Sequence, residues 1–378
     1  MKAVVEQRES DPSALKPAEL GLRLQLIQGN QWLCAINDDP YARVLRGFED
    51  DPYPLYERLR HTGPLVPSSV GRWVTGHHEQ ATELLAHPEF GPVHAGVPRS
   101  PLRVIPFDED VVHAAPSSID RLGELAAAAF ERAVDGLTGE VDLIAAFAAR
   151  IPADVLAETF QLPSSWLAER VADTSIATDA SLCPQRLTAT RRMFHAIGEL
   201  RERLADPGAV LLAVAGSCVA TTLLGNALHV LLGGQDHWTK LAEDPARAPR
   251  VVDEALRHDS PIQLHALIAR TGLTFAGAKV AAGDQVIVGV GGANRDPALH
   301  VDPARFEPDR EAGPLLPGAP YDKVLPFARA VAETVLPMLA KRFPALHRTG
   351  FALRRRRAPV TRQLLRLPAG TDPREEAR

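Results

Sequence analysis

The sequence predicts a single domain that is mainly α-helical with small β-sheets, and three observations carry that prediction. Apolar residues recur at helical spacing through 121–160 and 164–204, stretches rich in Ala and Leu and punctuated by Pro152 and Pro163. An uncharged apolar run from Val210 to Leu232 is long enough for one central helix. Strand-like alternation marks short regions bounded by turn residues, chiefly 64–76 and 273–297.

The elements follow in order. DPYPLYERLRHTG reads as a short helix started by Asp51 and Pro52 and stopped at Gly63. PLVPSSVGRWVTG offers two strands about a turn, and HHEQATELLAHPEFG a helix ending near Pro88. WTKLAEDPARAPRVVDEALRHDSP gives two helices broken at Pro245 and ended by Ser260 and Pro261. LTFAGAKVAAGDQVIVGVGGANRDP alternates like strands with turns at Gly277 and Gly283, and GVGGA at Gly289 to Ala293 reads as a strand end. The run Arg354 to Arg357 reads as a solvated hairpin. No repeat or flexible linker divides the chain. Residues 1–50 form a helical N-terminal extension, 51–370 the main domain, and 371–378 (TDPREEAR) a disordered tail.

Composition excludes several classes of function. With 45% hydrophobic residues among 378, the chain can bury a large core, and a net charge of −5 leaves no basic surface to neutralise a run of phosphates. Nucleic acid is therefore not an expected partner. The run Val210–Leu232 approaches bilayer length, but Gly216, Ser217, Thr221, Thr222, Gly225, Asn226 and His229 interrupt it and no aromatic belt flanks it, so it reads as a buried core helix. MKAVVEQRESDPSALKPAEL lacks the apolar core of a secretory signal, and a cytoplasmic protein is expected. Cys34, Cys183 and Cys218 are widely spaced and odd in number, which suits reduced thiols. His77, His78 and Glu79 lack metal-ligand spacing and read as a solvated helix start.

Several segments in order resemble the bacterial cytochrome P-450 family: DPYPLYERLR, GRWVTGHHEQATELLAHPEFG, TTLLGNAL, EDPARAPRVVDEALRHDSPIQ, AGDQVIVGVGGANRDP, HVDPARFEPDR and KRFPALH. The most specific is the Glu-x-x-Arg motif at Glu254 and Arg257, one helical turn apart, where the side chains can pair. In the family a downstream arginine completes the triad, and Arg305 in DPARFEP matches it. The resemblance implies a cytochrome P-450-like fold with this triad as a buried structural network.

The family's haem site does not carry over. Its iron is held by a cysteine thiolate; counting back from Ala328 and Arg329, that position falls on Asp322, with Pro320 two residues before it, and every cysteine of this chain precedes residue 219. A His-x-x-x-Arg pair that anchors the haem propionates falls on Ile119 and Gly123, aligned on Ala129 and Phe130. A further propionate arginine falls on Leu267, and the acid and alcohol that relay protons in the long helix fall on Cys218 and Val219. The chain also passes from one helix straight into the long apolar helix between Arg203 and Ala213, omitting a helix and loop of the monooxygenases.

Within the wider family, cysteine-less, haem-free members serve as auxiliary proteins for glycosyltransferases that transfer deoxyaminosugars to macrolides or anthracyclines. LGLRLQLIQGNQWLCAINDDPYARVLRG resembles the segment those proteins carry ahead of the shared region. The resemblance implies a protein without haem or other cofactor, without catalysis, that binds, stabilises and activates a glycosyltransferase as a hetero-oligomer. The alternatives are a nucleotide-deoxysugar isomerase using His258, His265 or Asp322 as acid or base, or a vestigial haem-free monooxygenase or small-ligand carrier. Between Leu20 and Gly47 the apolar residues Leu22, Leu24, Leu26, Ile27, Trp32, Leu33 and Ile36 occupy more than one helix face. Leu26, Trp32, Leu33 and Ile36 are candidates for the transferase interface; the alternative is that the whole helix packs on its own domain.

Overall fold

The computed structural model describes Ser13, residues 15–92, Ala114 and residues 119–372. The chain opens with helix α1 (Pro17–Ile36), which starts on a proline, with the Lys16 N–H donating to the Glu19 carboxylate at 3.1 Å. α2 (Pro40–Leu45) repeats the device: Asp39 accepts from the Ala42 N–H at 2.9 Å ahead of Pro40. The second oxygen of Asp39 accepts from Ser68 and Ser69, fastening α2 to the turn between β1 (Val66–Ser68) and β2 (Arg72–Thr75). α3 (Tyr53–Thr62) lies between them in sequence and stops at Gly63.

After α4 (His78–Ala86) and β3 (Phe90–Gly91), the described chain resumes with α5 (Leu122–Val134) and β4 (Glu140–Asp142). A π-helical turn (Ile144–Ala148) leads into α6 (Arg150–Thr159), followed by α7 (Ser164–Thr174), α8 (Ala177–Ala180) and α9 (Leu187–Leu204). The apolar run becomes α10 (Pro207–Leu231), entered through Asp206, whose carboxylate accepts from the Gly208 and Ala209 N–H groups, and passing through a π turn at Leu212–Gly216. Its most apolar eighteen-residue stretch is wholly buried inside the protein. Its polar residues are satisfied locally: the Thr222 hydroxyl donates to the Cys218 carbonyl at 2.8 Å, and the Asn226 amide to the Asp259 carbonyl at 2.8 Å.

α11 (Gln235–Glu243) and α12 (Ala248–His258) follow, then strands β5 (His265–Ala269), β6 (Leu273–Phe275), β7 (Ala278–Val280) and β8 (Gln285–Val288). The expected turns at Gly277 and Gly283 adopt φ of +80° and +86°, the region that favours glycine. GVGGA is not a plain strand end, because Val290–Ala293 form a one-turn helix, α13. Its glycines are packing glycines: a Cβ at Gly291 would collide with the Gln263 side chain, and one at Gly292 would sit 3.0 Å from Tyr56. α14 (Tyr321–Arg342) and strands β9 (His347–Arg348), β10 (Leu353–Arg354), β11 (Leu364–Arg366) and β12 (Pro368–Gly370) complete the fold. The main sheet runs β1-β2-β8-β5-β3, with β2 and β8 parallel; smaller sheets pair β4-β12-β9, β10-β11 and β6-β7.

One large core, centred on α10 and α14, extends from Cys34 to Ala369, and a smaller one lies under the five-stranded sheet around Leu84, Leu267 and Val286. The N-terminal extension contributes Tyr41, Ala42, Val44 and Leu45 to the large core. It is also bonded to distant chain: Gln31 donates to the Leu182 carbonyl at 2.9 Å, and the Arg357 N–H to the Gly47 carbonyl at 3.0 Å. Gly47 has φ of +63°, and a Cβ there would lie 2.7 Å from the Arg357 backbone. Of the proposed tail, Thr371 donates to the Gly139 carbonyl, and 373–378 lie outside the described residues.

The arginine run is a hairpin, but not a solvated one. Arg354 reaches inward to Asp259 at 2.6 Å, where Arg362 also pairs at 2.8 Å. Burial alone would raise the Asp259 carboxyl, but Arg354, Arg362 and Arg295 together hold it well below the ordinary carboxylate range. Arg355 bonds the Ser175 hydroxyl, Arg356 the Phe48 carbonyl, and Arg357 the Gln28 side chain and Pro184 carbonyl. Alternation along a strand gave the hairpin; the long side chains fold back over it to tie α1 and the ends of α7 and α12 to the C-terminal strands.

Candidate functional site

Glu254 and Arg257 lie on the buried face of α12 and meet in a two-pronged pair, Nε to Oε2 and Nη2 to Oε1, both at 2.7 Å. The remaining guanidinium hydrogens go to the carbonyls of Asn294, Pro303 and Arg305 at 2.9 to 3.0 Å, and Glu254 accepts from the Glu307 N–H at 2.7 Å. Arg257 is fully buried. The third arginine is not Arg305, as the DPARFEP match suggests. The Arg305 side chain is 71% exposed and pairs with Glu307, contributing only its carbonyl to the node. Arg310, at the end of FEPDR and 10% exposed, places Nε 3.7 Å from Glu254. The loop after Asp302, whose φ is +45°, turns its carbonyls toward Arg257; this leaves the Arg305 side chain outside and brings Arg310 back underneath.

A surface cleft of about 280 Å³ adjoins this node, lined by Arg250, Asp253, Asp309 and Arg310 among others. Its charges are already engaged, Arg250 with Asp309 at 3.2 Å and Asp253 with Arg329 at 2.6 Å. These paired groups are therefore not free to act as acid or base.

The former haem-contact positions are dispersed. Asp322 sits on the first turn of α14 and faces solvent, whereas the adjacent Tyr321 is buried and packs edge-to-face on His265 at 5.6 Å. Pro320 caps that helix and is buried. Leu267 lies in β5 opposite Val286, inside the smaller core. Gly123 is exposed on the first turn of α5, where a Cβ would meet Thr334 at 3.8 Å, and Ile119 packs on the large core. Cys218 is buried in α10 with its thiol directed to the Ser175 carbonyl at 3.6 Å, and burial pushes that thiol up to about 11. Val219 is fully buried beside it.

These residues do not fit haem. The fold's family implies an axial thiolate and cations for two propionates, and this chain presents an exposed carboxylate, a glycine and two aliphatic side chains at those places. The buried His265, with neither ring nitrogen bonded and its imidazole lowered to about 4 by burial, is one donor without the rest of a haem cradle. Nor do the acid–base candidates converge. His258 turns to the Ala304 carbonyl at 2.9 Å and to Arg295, His265 is sealed inside, and Asp322 faces out. His77 and His78 open α4, bound through Asp296 and the Arg60 carbonyl.

α1 is apolar on two opposite faces. Leu20, Leu24, Ile27, Cys34 and Ala35 are buried against the protein, while Leu22, Leu26, Leu33 and Ile36 are 60, 55, 64 and 71% exposed. Trp32 differs from the other candidates: its ring packs edge-to-face on Phe48 at 6.0 Å, with the Arg46 guanidinium 4.5 Å above it. Leu22, absent from the candidate interface set, completes the exposed row, and its spacing from Leu26 was readable in the sequence.

No family model matches the chain. It is 36% identical to protein DesVIII of Streptomyces venezuelae, over 95% of each chain, and 34% identical to protein AknT of Streptomyces galilaeus, over 94% of this chain and 96% of that one. The cytochrome P450 family protein EryCII of Saccharopolyspora erythraea is 31% identical over 93% and 98%. The fold matches the crystal structure of Mycobacterium smegmatis CYP164A2 with a TM-score of 0.74, at 23% identity over 88% of this chain and 99% of that one. The chain belongs to the cytochrome P450-like family that includes DesVIII, AknT and EryCII.

Proposed function

We propose that this chain is a haem-free, non-catalytic auxiliary protein that binds, stabilises and activates a glycosyltransferase, one that transfers a deoxysugar in antibiotic biosynthesis. One observation carries the reading: the chain aligns end to end with DesVIII and AknT, and keeps the buried Glu254–Arg257 node of the P450 scaffold while its haem-contact positions are Asp322, Gly123, Ile119 and Leu267. A scaffold whose folding network is kept and whose reaction centre is replaced is under demand for its shape. That demand is met by a partner. Binding only the folded, active transferase stabilises it by mass action, by about 2.7 kcal/mol when the auxiliary protein is present at one hundred times its dissociation constant. The work is done in the cytoplasm, on a protein and not on nucleic acid or membrane.

The test is co-expression with a deoxysugar glycosyltransferase from the same source organism. The expected result is a hetero-oligomer that co-elutes, melts higher than the transferase alone, and shows no Soret absorbance. A transferase with full activity and unchanged melting in the absence of this chain would remove the reading.

A further inference from the structure

The exposed row on α1 is spaced four, three, four and three residues apart: Leu22, Leu26, Gly29, Leu33, Ile36. That alternation is the seam by which one helix packs along another, and none of the described residues covers it. Among the described residues, six of the twelve large apolar side chains left exposed fall between Leu22 and Phe48, the remaining two being Trp32 and Phe48 at 37% each. Scattered single residues need no explanation, but a contiguous row marks a contact surface. Gly29 stands at the centre of the row, with no atom within 4 Å of where its Cβ would be, so a second helix can approach the backbone closely there.

We propose that this seam receives an apolar helix of the partner glycosyltransferase, flanked by carboxylates; the proposal rests on the function proposed above. One feature chooses the occupant over a second copy of this chain. Beside the row lies a platform of Trp32 and Phe48 packed with Arg46 and Arg356, whose guanidinium carbons lie 4.5 Å from the Trp32 ring and 5.7 Å from the Phe48 ring. Two arginines on that flank call for acidic residues opposite, and a copy of this chain would bring arginines of its own.

Gly29→Glu is the discriminating variant. Glutamate is a better helix former than glycine and meets open space in the isolated protein, so melting stays level or rises, while a charged side chain now stands in the seam. Leu33→Glu is its companion. The expected result is parental melting for both and transferase binding weakened by about tenfold or more, measured by calorimetric titration, with the chain alone monomeric by light scattering. Parental binding by Gly29→Glu overturns the proposal and leaves the function standing. A dimer that Gly29→Glu dissociates overturns it in favour of a second copy. Failure of the parent chain to bind the transferase overturns both.

Discussion

The Glu254 node and Leu267, one of the positions aligned with the family's haem contacts, are neighbours in the chain with opposite chemistry. Arg257 is fully buried, and each of its hydrogen-bonding groups is engaged by Glu254 or a backbone carbonyl. Ten residues later, Leu267 is a buried aliphatic side chain in the smaller core, at the strand position that we propose corresponds to a propionate-binding arginine of the family. In that proposal charge is retained where it holds a helix to a loop and absent where it would hold a cofactor. The energetics account for the difference. A buried charge is tolerated only while its partner is present; Glu254 keeps its partner within the chain, whereas a cation at 267 would have depended on a bound carboxylate.

The largest expected effect follows from that contrast. Glu254→Ala or Arg257→Ala strands the other charge in the core and lowers stability by about 3 to 5 kcal/mol in urea denaturation. Arg310→Ala costs less, since its contact with Glu254 is 3.7 Å, and Arg305→Ala falls within about 0.5 kcal/mol of the parent. An Arg305 variant as damaging as Arg310 would break the assignment of the third arginine.

Restoring a cation sharpens the other half. Leu267→Arg places an unpaired charge in the smaller core and costs at least about 2 kcal/mol. Added haemin leaves the melting of both parent and variant unchanged. Recovery of Leu267→Arg by haemin would show that the cofactor site survives.

A smaller effect concerns pH. Burial is the first cause that lowers His229, His258, His265 and His300, each to about 4 from an ordinary value near 6.5. Between these values the unfolded chain binds protons that the folded chain does not, so stability is full above about pH 6.5 and is lost as pH falls toward 4. Asp179 works in the opposite sense, because burial raises its carboxyl to about 6 and its protonation favours the folded state below that pH. The four histidines outnumber it, and net acid destabilisation is expected. His265→Phe, which removes two unbonded ring nitrogens, should flatten the decline; a steeper slope would contradict the burial argument.

Much of this was legible in the sequence because it rests on short-range signals. Pro52 and Gly63 bounded α3, Gly277 and Gly283 marked their turns, and the small polar residues of 210–232 identified a buried helix and not a membrane span. What was not legible depends on where long side chains go. Arg305 and Arg310 stand in one loop, and only the turn at Asp302 decides which reaches Glu254. The arginines at 354–357 looked solvated because alternation along a strand predicts backbone direction, not the reach of a side chain back to Asp259. Trp32 suggested an interface anchor by its type, yet its ring is stacked with Arg46 and Phe48, and the uncovered apolar row lies one face round.

The central claim, that the fold is kept for a partner and not for haem, is tested most directly by the turnover of the partner glycosyltransferase with this chain prepared from cells unable to make haem. The account predicts that turnover rises with the amount of chain added, saturates at a fixed stoichiometry, and is the same when haemin is supplied. Stimulation that appears only with haemin, or no stimulation at all, would contradict it.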